Sequence, residues 1–536
     1  MASDPAYDVV VIGAGHNGLV CAAYLAHAGL RVKVVERRAV VGGAAVTEEF
    51  HPGFRNSVCS YVVSLLHPQV IADLELYRHG LEILDRAGGS LAPLPDGRYL
   101  SLPRDDAQAI REVARFSQPD AEAYAPFHAV LEETARVLRS IVLETPPNLG
   151  GGLNDLWRVL CTGNRLRRLD LRRQRAFAAL MTMSVGDYLD EWFEFDGLKG
   201  VYGFEGIVGN LASPYAPGTA YVLLHHYFGE VNGRIGAWGH ARGGMGAITQ
   251  AMARSAESRG VEIAVSAPVA EVIVEGGKAR GVALADGSVI RARAVAANVN
   301  PKLLFLDLVD VEALDADFRR DIEGWRCRSG TFRMNVALSE LPAFEGVPGD
   351  QADELLCGSI DICPSLDYLE RAYDDAKGGG WARAPVISMC IPSTIDDSLA
   401  PPGAHVASLF CQHFHPQLSG EQTWDDVREE VADLIIATVD RYAPNFKRSV
   451  VGRQALSPLD LEREFGLVGG DIFHGALHLD QIYSLRPAAG YADYRAPLAG
   501  LYMCGSGTHP GGGVTGAPGH NAAREIVRDF KRGKVA

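Results

Sequence analysis

Three glycines and one carboxylate carry the clearest chemistry in this chain. Gly13, Gly15 and Gly18, with Ala14 and Asn17 between them, form a G-x-G-x-x-G loop, and Glu36 follows 23 positions after Gly13. Tyr7 to Ile12 is a short apolar run that reads as a buried strand. Gly13 lets the chain turn tightly off that strand. Gly15 lets a pyrophosphate approach the backbone, and Gly18 lets the next helix pack close to the sheet. The helix over Leu19 to Ala28, stopped by Gly29, presents free N–H groups and a positive dipole end to the phosphates. A second strand, Arg31 to Val35, delivers Glu36 to where a carboxylate accepts hydrogen bonds from a ribose diol. A carboxylate there repels a 2′-phosphate, which argues against NADP and leaves NAD or FAD. Arg37 and then Gly42-Gly43-Ala44 follow directly, and this second glycine pair permits another close approach to a long buried ligand.

The far end of the chain repeats the arrangement. Leu501 to Cys504 reads as a strand, Gly505-Ser506-Gly507-Thr508-His509-Pro510-Gly511-Gly512-Gly513 as a loop with little side-chain bulk, and Gly516 to Phe530 as a helix. Such a loop can lie flat against an aromatic ring system, with a helix dipole to stabilise negative charge that develops on it. Residues able to move a proton are His509 in this loop, followed by His225 and His226; Tyr61 is a further pocket candidate. A histidine in a glycine-rich loop is equally well explained by a hydrogen bond from its ring to a backbone carbonyl. His405, His413 and His415 lack a metal-ligand spacing, so no metal site is expected.

The elements that must position these residues fill 536 residues, enough for a large core. A net charge of −15 excludes nucleic acid as an expected partner. No apolar run reaches membrane-spanning length, and the start MASDPAYD has neither a basic n-region nor an apolar h-region. Nine scattered cysteines without a CxxC favour reduced thiols and a cytoplasmic setting. Asp96-Gly97 marks a hairpin turn, and Ala107 to Leu143 reads as helical, with apolar positions at helical spacing. Leu156 to Met181 carries seven arginines and one acid with interleaved apolar residues. It is either a solvated helix face paired with acids elsewhere or a basic amphipathic stretch lying on an anionic membrane surface. Val269 to Val274, Ala279 to Ala285 and Val289 to Ala296 form a meander whose last strand returns to the nucleotide sheet. Thr331 to Leu338, Val386 to Ile391 and Val406 to Phe414, with the amphipathic helix Trp424 to Tyr442, indicate a second, mostly antiparallel domain.

The opening GAGHNGL…VVER…GGAA, the central ARGGMGAITQAMA and the closing LYMCGSGTHPGGGVTGAPGH together resemble the phytoene desaturase-like flavoproteins. That group includes carotenoid desaturases, isomerases and ketolases and retinol saturase. The resemblance implies an α/β fold: a Rossmann-type FAD-binding domain assembled from three segments, 1–75, 232–306 and 484–536. Between them it places a helical insert, 76–231, and a substrate domain, 307–483, with a mixed or antiparallel sheet plus helices. It further implies that Gly13, Gly15 and Gly18 hold the pyrophosphate, Glu36 the adenosine ribose, and Arg37 the adenine side. Gly43 and Ala44 approach the flavin end, Val269 meets adenine through its backbone, and Gly505 and the Val514-Thr515-Gly516 loop flank the ribityl chain and the ring. Related flavoproteins often carry an acid where this chain has Ser506, which puts tight retention of FAD in question.

The implied activity is dehydrogenation of a small hydrophobic substrate, isoprenoid- or polyene-like, by hydride transfer to flavin N5, with oxygen or a quinone as acceptor. A flavin-dependent double-bond isomerase and a flavoprotein acting mainly as a partner or scaffold are the alternatives. No second G-x-G-x-x-G follows a strand directly and no CxxxxC is present, so reduced pyridine nucleotide is not expected to be the direct reductant. The sequence leaves the oligomeric state open, a homodimer included.

Overall fold

The computed structural model describes residues 6–86 and 88–535. Five short strands form its organising sheet, all parallel: Glu262–Ala264, Val32–Val35, Tyr7–Ile12, Val289–Ala297 and Leu501–Met503. They come from three separate stretches of sequence, so the ends of the chain meet in one sheet. Val9, Val10, Val11, Val34, Val295 and Ala296 are fully buried because both faces of a parallel sheet are covered. Helix His16–His27 packs on one face beside helices Gly246–Glu257 and Ala517–Lys531. Gly29, at φ +86°, ends the first helix in the left-handed conformation. The meander Val269–Glu275, Lys278–Leu284 and Val289–Ala297 is antiparallel and feeds its last strand into the parallel sheet.

A second seven-stranded sheet runs in the order Val450–Leu456, Thr331–Leu338, His405–Phe414, Trp381–Cys390, Ser359–Ile362, Ser90–Pro93, Tyr99–Leu102. It is antiparallel except where Ser359–Ile362 lies parallel to Ser90–Pro93. Helix Trp424–Asp440 covers one face through Val427, Val431 and Ile435. The helical insert covers the other, where Phe127, Tyr202 and Leu223 share a core with Val386 and Phe410.

Two expected helices are divided. The 107–143 segment is two helices, Asp106–Ala114 and Gln118–Val142. Ser117 caps the second by accepting from the Asp120 N–H, and Pro119 sits in its first turn, where a missing N–H costs nothing. The basic stretch is likewise two helices, Leu153–Arg167 and Leu171–Thr182, the second capped by Asp170. All nine cysteines are unbridged. No helix among the described residues is long and apolar enough to cross a membrane.

Candidate functional site

The carboxyl ends of the parallel strands converge on one edge, where open α/β sheets bind ligands. Directly after those ends come Gly13, Glu36, Asn298 and Gly505. Gly13 has φ +92°, and its N–H donates to the Val35 carbonyl at 2.8 Å, which fixes the turn off the first strand. A Cβ on Gly18 would lie 2.1 Å from the Gly13 carbonyl oxygen, and one on Gly15 2.8 Å from Asn298 Nδ2. Gly42 donates to the Ala14 carbonyl at 2.9 Å, and a Cβ on Gly43 would stand 3.4 Å from Gly15 Cα. The two glycine pairs are therefore stacked, backbone against backbone.

The central ARGGMGAITQAMA motif braces this stack. The Met245 N–H donates to Ser57 Oγ, the Gly246 N–H to Thr47 Oγ1, and Thr249 Oγ1 to the Ala45 carbonyl, each at 2.9 Å. Glu36 is buried. Its Oε2 accepts from the Ala14 N–H at 2.8 Å and its Oε1 from the Arg38 N–H at 2.9 Å, so the carboxylate is held against the glycine loop. Val269 begins its strand two residues beyond Ala267, whose N–H donates to the Glu36 carbonyl.

The last segment closes the cradle. Asn17 Nδ2 donates to Ser506 Oγ at 3.1 Å across 489 residues of sequence. Ser506 is thus engaged by a neutral partner where an acid would have had to be desolvated. Gly516, at φ +73°, caps helix Ala517–Lys531, and Thr515 Oγ1 accepts from the Ala517 N–H. Val514 holds φ +58°, an unusual conformation for a β-branched residue. Behind the loop, the buried Arg486 donates to the carbonyls of Phe473, Gly475, Gln481 and Ser506.

Two residues outside the sequence assignment belong to this site. Asn298 touches all three parts: its Nδ2 donates to the Gly13 carbonyl at 3.3 Å, and a Cβ on Gly505 would meet its Oδ1 at 2.9 Å. Its position right after a strand returning to the nucleotide sheet is the one signal the sequence offers. Arg37, selected from sequence, is exposed and donates to the Arg463 carbonyl. Arg38 is the inward one, pairing with Glu48 at 2.7 Å over the Phe465 ring.

These residues fit an extended dinucleotide. The cradle has no Cβ where the glycines approach, the first helix begins at Gly15 without a side-chain cap, and His16 Nε2, Asn17 Oδ1 and Arg38 Nη1 are buried without a partner.

Beside the last loop lies a recess lined by Leu65, Leu66, Pro68, Val142, Phe228 and Pro510, with His225 in its wall. A Cβ on Gly513 would stand 3.4 Å from His225 Nε2. Neither buried His225 nitrogen has a well-formed hydrogen bond; burial, reinforced by His226 and Arg486 and opposed by the nearby Gly512 backbone, lowers its pKa to about 3, so the ring is neutral. The other two candidate histidines are engaged. His226 Nδ1 bonds the Val222 carbonyl at 2.8 Å and its ring stacks on Trp238; His509 Nε2 bonds the Ile141 carbonyl at 3.1 Å. Of the three, only His225 comes to the loop with free ring nitrogens. Tyr61 lies elsewhere, in a second recess with Val62, Arg86, His240 and Cys390. Ser60, its neighbour, donates to the Ala44 carbonyl, so this recess adjoins the second glycine pair.

Known proteins share much of this sequence and fold. Pyridine nucleotide-disulfide oxidoreductase domain-containing protein 2 of Rattus norvegicus is 42% identical over 98% of this chain and 94% of its own length. A limonene dehydrogenase component of Castellaniella defragrans is 25% identical over 98% and 95%, and a lycopene-forming phytoene desaturase of a Paracoccus species 25% over 98% and 98%. Putrescine oxidase with bound putrescine superposes with a TM-score of 0.62 at 17% identity, covering 98% of this chain and 99% of that one, a likeness of fold. The family profile described as flavin containing amine oxidoreductase matches residues 18–328. The chain belongs to the flavin-containing amine oxidoreductases, and its cofactor is FAD.

Proposed function

We propose that this oxidoreductase removes two hydrogens from neighbouring carbons of a hydrophobic, isoprenoid- or polyene-like substrate. The observation that carries the reading is the recess beside the Gly513–Gly516 loop. Its walls are apolar apart from His67, Thr515 and the Arg139–Glu230 ion pair, and its one ring with free nitrogens is the neutral His225. Relatives named for limonene dehydrogenation and phytoene desaturation add support. Bound FAD supplies the hydride acceptor at N5, with oxygen or a quinone as the final acceptor. Gly13, Gly15, Gly18, Gly43 and Gly505 hold the group by backbone, and the apolar lining excludes water from the reacting carbons. Loss of hydride leaves an electron-poor substrate carbon and makes the neighbouring C–H acidic. His225 Nε2, uncharged and without a competing bond, then suffices to take the proton despite its low basicity.

Anaerobic mixing of the purified flavoprotein with candidate polyenes tests this. Bleaching of the flavin in step with a new double bond is the expected result. Double-bond rearrangement without bleaching would identify an isomerase instead, and binding with neither would leave a partner role. NADPH alone should leave the flavin oxidised.

We also propose that helices Leu153–Arg167 and Leu171–Thr182 rest on an anionic membrane, where apolar substrates reside. Leu153, Leu156, Trp157, Leu160 and Leu171 are all more than half exposed. Arg165 and Arg173 pair with Glu144 and Glu133, whereas Arg172 and Arg175, three apart on one helix, form no ion pair among the described residues. Co-sedimentation with phosphatidylserine vesicles, lost in a Trp157→Glu/Arg172→Glu variant, is the expected outcome. No sedimentation of the wild type overturns it.

A further inference from the structure

Three arginines are buried in the interior of this protein, and they are treated differently. Arg486 is 0% exposed, and each of its nitrogens meets a carbonyl oxygen. Arg333 is 1% exposed, yet only its Nη2 is bonded, to Ser408 Oγ at 2.7 Å; Nε and Nη1 have no partner. Arg86 is 4% exposed; its Nε makes one long contact to the Cys357 carbonyl at 3.4 Å, and Nη2 has none. Neither Arg333 nor Arg86 forms an ion pair among the described residues. A charge withdrawn from water without a counter-charge is costly, so folding would not retain two of them unless a ligand completes the set.

Both guanidiniums lie close to Tyr61. Arg86 lines the recess beside it, and Arg333 stands over the Tyr61 ring, its Cζ 4.4 Å from the centroid and 5.9 Å from that of Phe410. Burial raises the Cys390 thiol in the same wall, and Arg86 and Arg333 both act against that rise. The surrounding acids are already committed. Asp396 accepts from His240, Gly243 and Ser398, and Glu205 is pushed up by burial to about 8, hence protonated at neutral pH. Asp361 accepts from Ser388 Oγ at 2.6 Å; burial raises it to about 6, and the Arg86 charge acts against that rise. The remaining walls, Val62, Ile391, Pro392 and Ile395, are apolar. Open N–H groups on planar forks suit a carboxylate.

We infer that the recess beside Tyr61 binds a carboxylate of the substrate through Arg86, which lines it, and Arg333, which stands over the Tyr61 ring, so that the substrate is an apolar acid. This rests on the reading of the protein as an oxidoreductase of a hydrophobic substrate. It adds a polar end by which such a molecule is placed in register with the cofactor cradle.

Calorimetric titration of the purified flavoprotein with geranate, methyl geranate and inorganic phosphate tests it, together with thermal melting of each variant without ligand. Geranate should bind about tenfold or more tightly than its ester. Arg333→Met and Arg86→Met should each lose about tenfold for geranate and leave the ester unchanged. Their unliganded melting temperatures should be no lower than that of the wild type, because an unsatisfied buried charge has been removed. Should a Met variant fail to fold, Arg333→Lys and Arg86→Lys keep the charge without the fork and should still weaken geranate relative to its ester. Equal binding of acid and ester overturns the inference. So does arginine-dependent binding of phosphate alone, or a lower melting temperature in the unliganded Met variants. Flavin bleaching by a neutral polyene with no preference for acids would sink this inference and leave the dehydrogenase reading standing. Carboxylate binding without any flavin reduction would do the reverse.

Discussion

On the cofactor side of the crevice, Gly15, Gly18 and Gly505 leave bare backbone where a Cβ would land within 3.0 Å of Asn298 or Gly13. On the substrate side, Arg86, Arg333, His240 and Tyr61 project long side chains from strands and loops far apart in sequence. The first wall recognises its ligand chiefly by side-chain bulk that is missing; the second meets its ligand with side chains that reach in. Tolerance to change should differ accordingly. A single added methyl threatens the cradle, whereas exchanging a whole side chain in the chamber alters affinity and spares the fold.

The sharpest way to break this contrast is Gly18→Ala. Its Cβ would meet the Gly13 carbonyl oxygen at 2.1 Å and Asn298 Nδ2 at 2.9 Å, and backbone does not swing aside, so a loss of about 3 kcal/mol and of the yellow colour is expected. Denaturant titration and a visible spectrum would show it; a stable yellow variant would mean that the cradle is loose enough to take a methyl. Arg486→Met comes next. Four carbonyl oxygens lose their donor, with an expected cost of about 3 kcal/mol, the opposite of the behaviour expected for Arg333→Met.

Acidification probes the buried rings. Because His225 has its pKa depressed to about 3 in the folded chain and keeps an ordinary value when unfolded, the unfolded state takes up the proton first. The stability this neutral ring provides is present above about pH 6.5 and drains away as pH falls toward 3. His225→Gln should therefore lose less stability than the wild type between about pH 6.5 and 5, by up to about 2 kcal/mol, in pH-dependent melts. Smallest is Asn17→Ala, which removes the bond to Ser506: about 1 kcal/mol, with faster loss of FAD on dilution. Unchanged retention would mean that the two ends are held by the helices alone.

The same division explains what the sequence discloses. The first cradle is local: strand, glycines, helix and Glu36 occupy three dozen residues, so spacing alone specifies it. The parallel sheet, its three-part origin and the antiparallel second sheet follow from strand patterns and from the likeness of three motifs. Asn298 escapes because its importance depends on which strand lies next to Tyr7–Ile12, a matter of topology. Arg38 cannot be told from Arg37 because two successive residues on an extended chain face opposite ways, and nothing local says which faces in. Arg86 and Arg333 are separated by more than two hundred residues, and an arginine in an apolar strand carries no written sign that its partner is absent. The 107–143 segment reads as helical throughout, with no break marked at 115–117, for a simpler reason. Its apolar period continues across the break, although the Ser117 cap and Pro119 that create the break stand in plain view.

The strand Leu501–Met503 completes a sheet whose first member is Tyr7–Ile12. The glycine loop is made 489 residues before the Ser506 hydroxyl that Asn17 engages. Neither segment alone encloses the cofactor, so acquiring colour reports that the two have met. A chain stopped short of its last helix would expose an unfinished sheet edge and become a client for proteolysis.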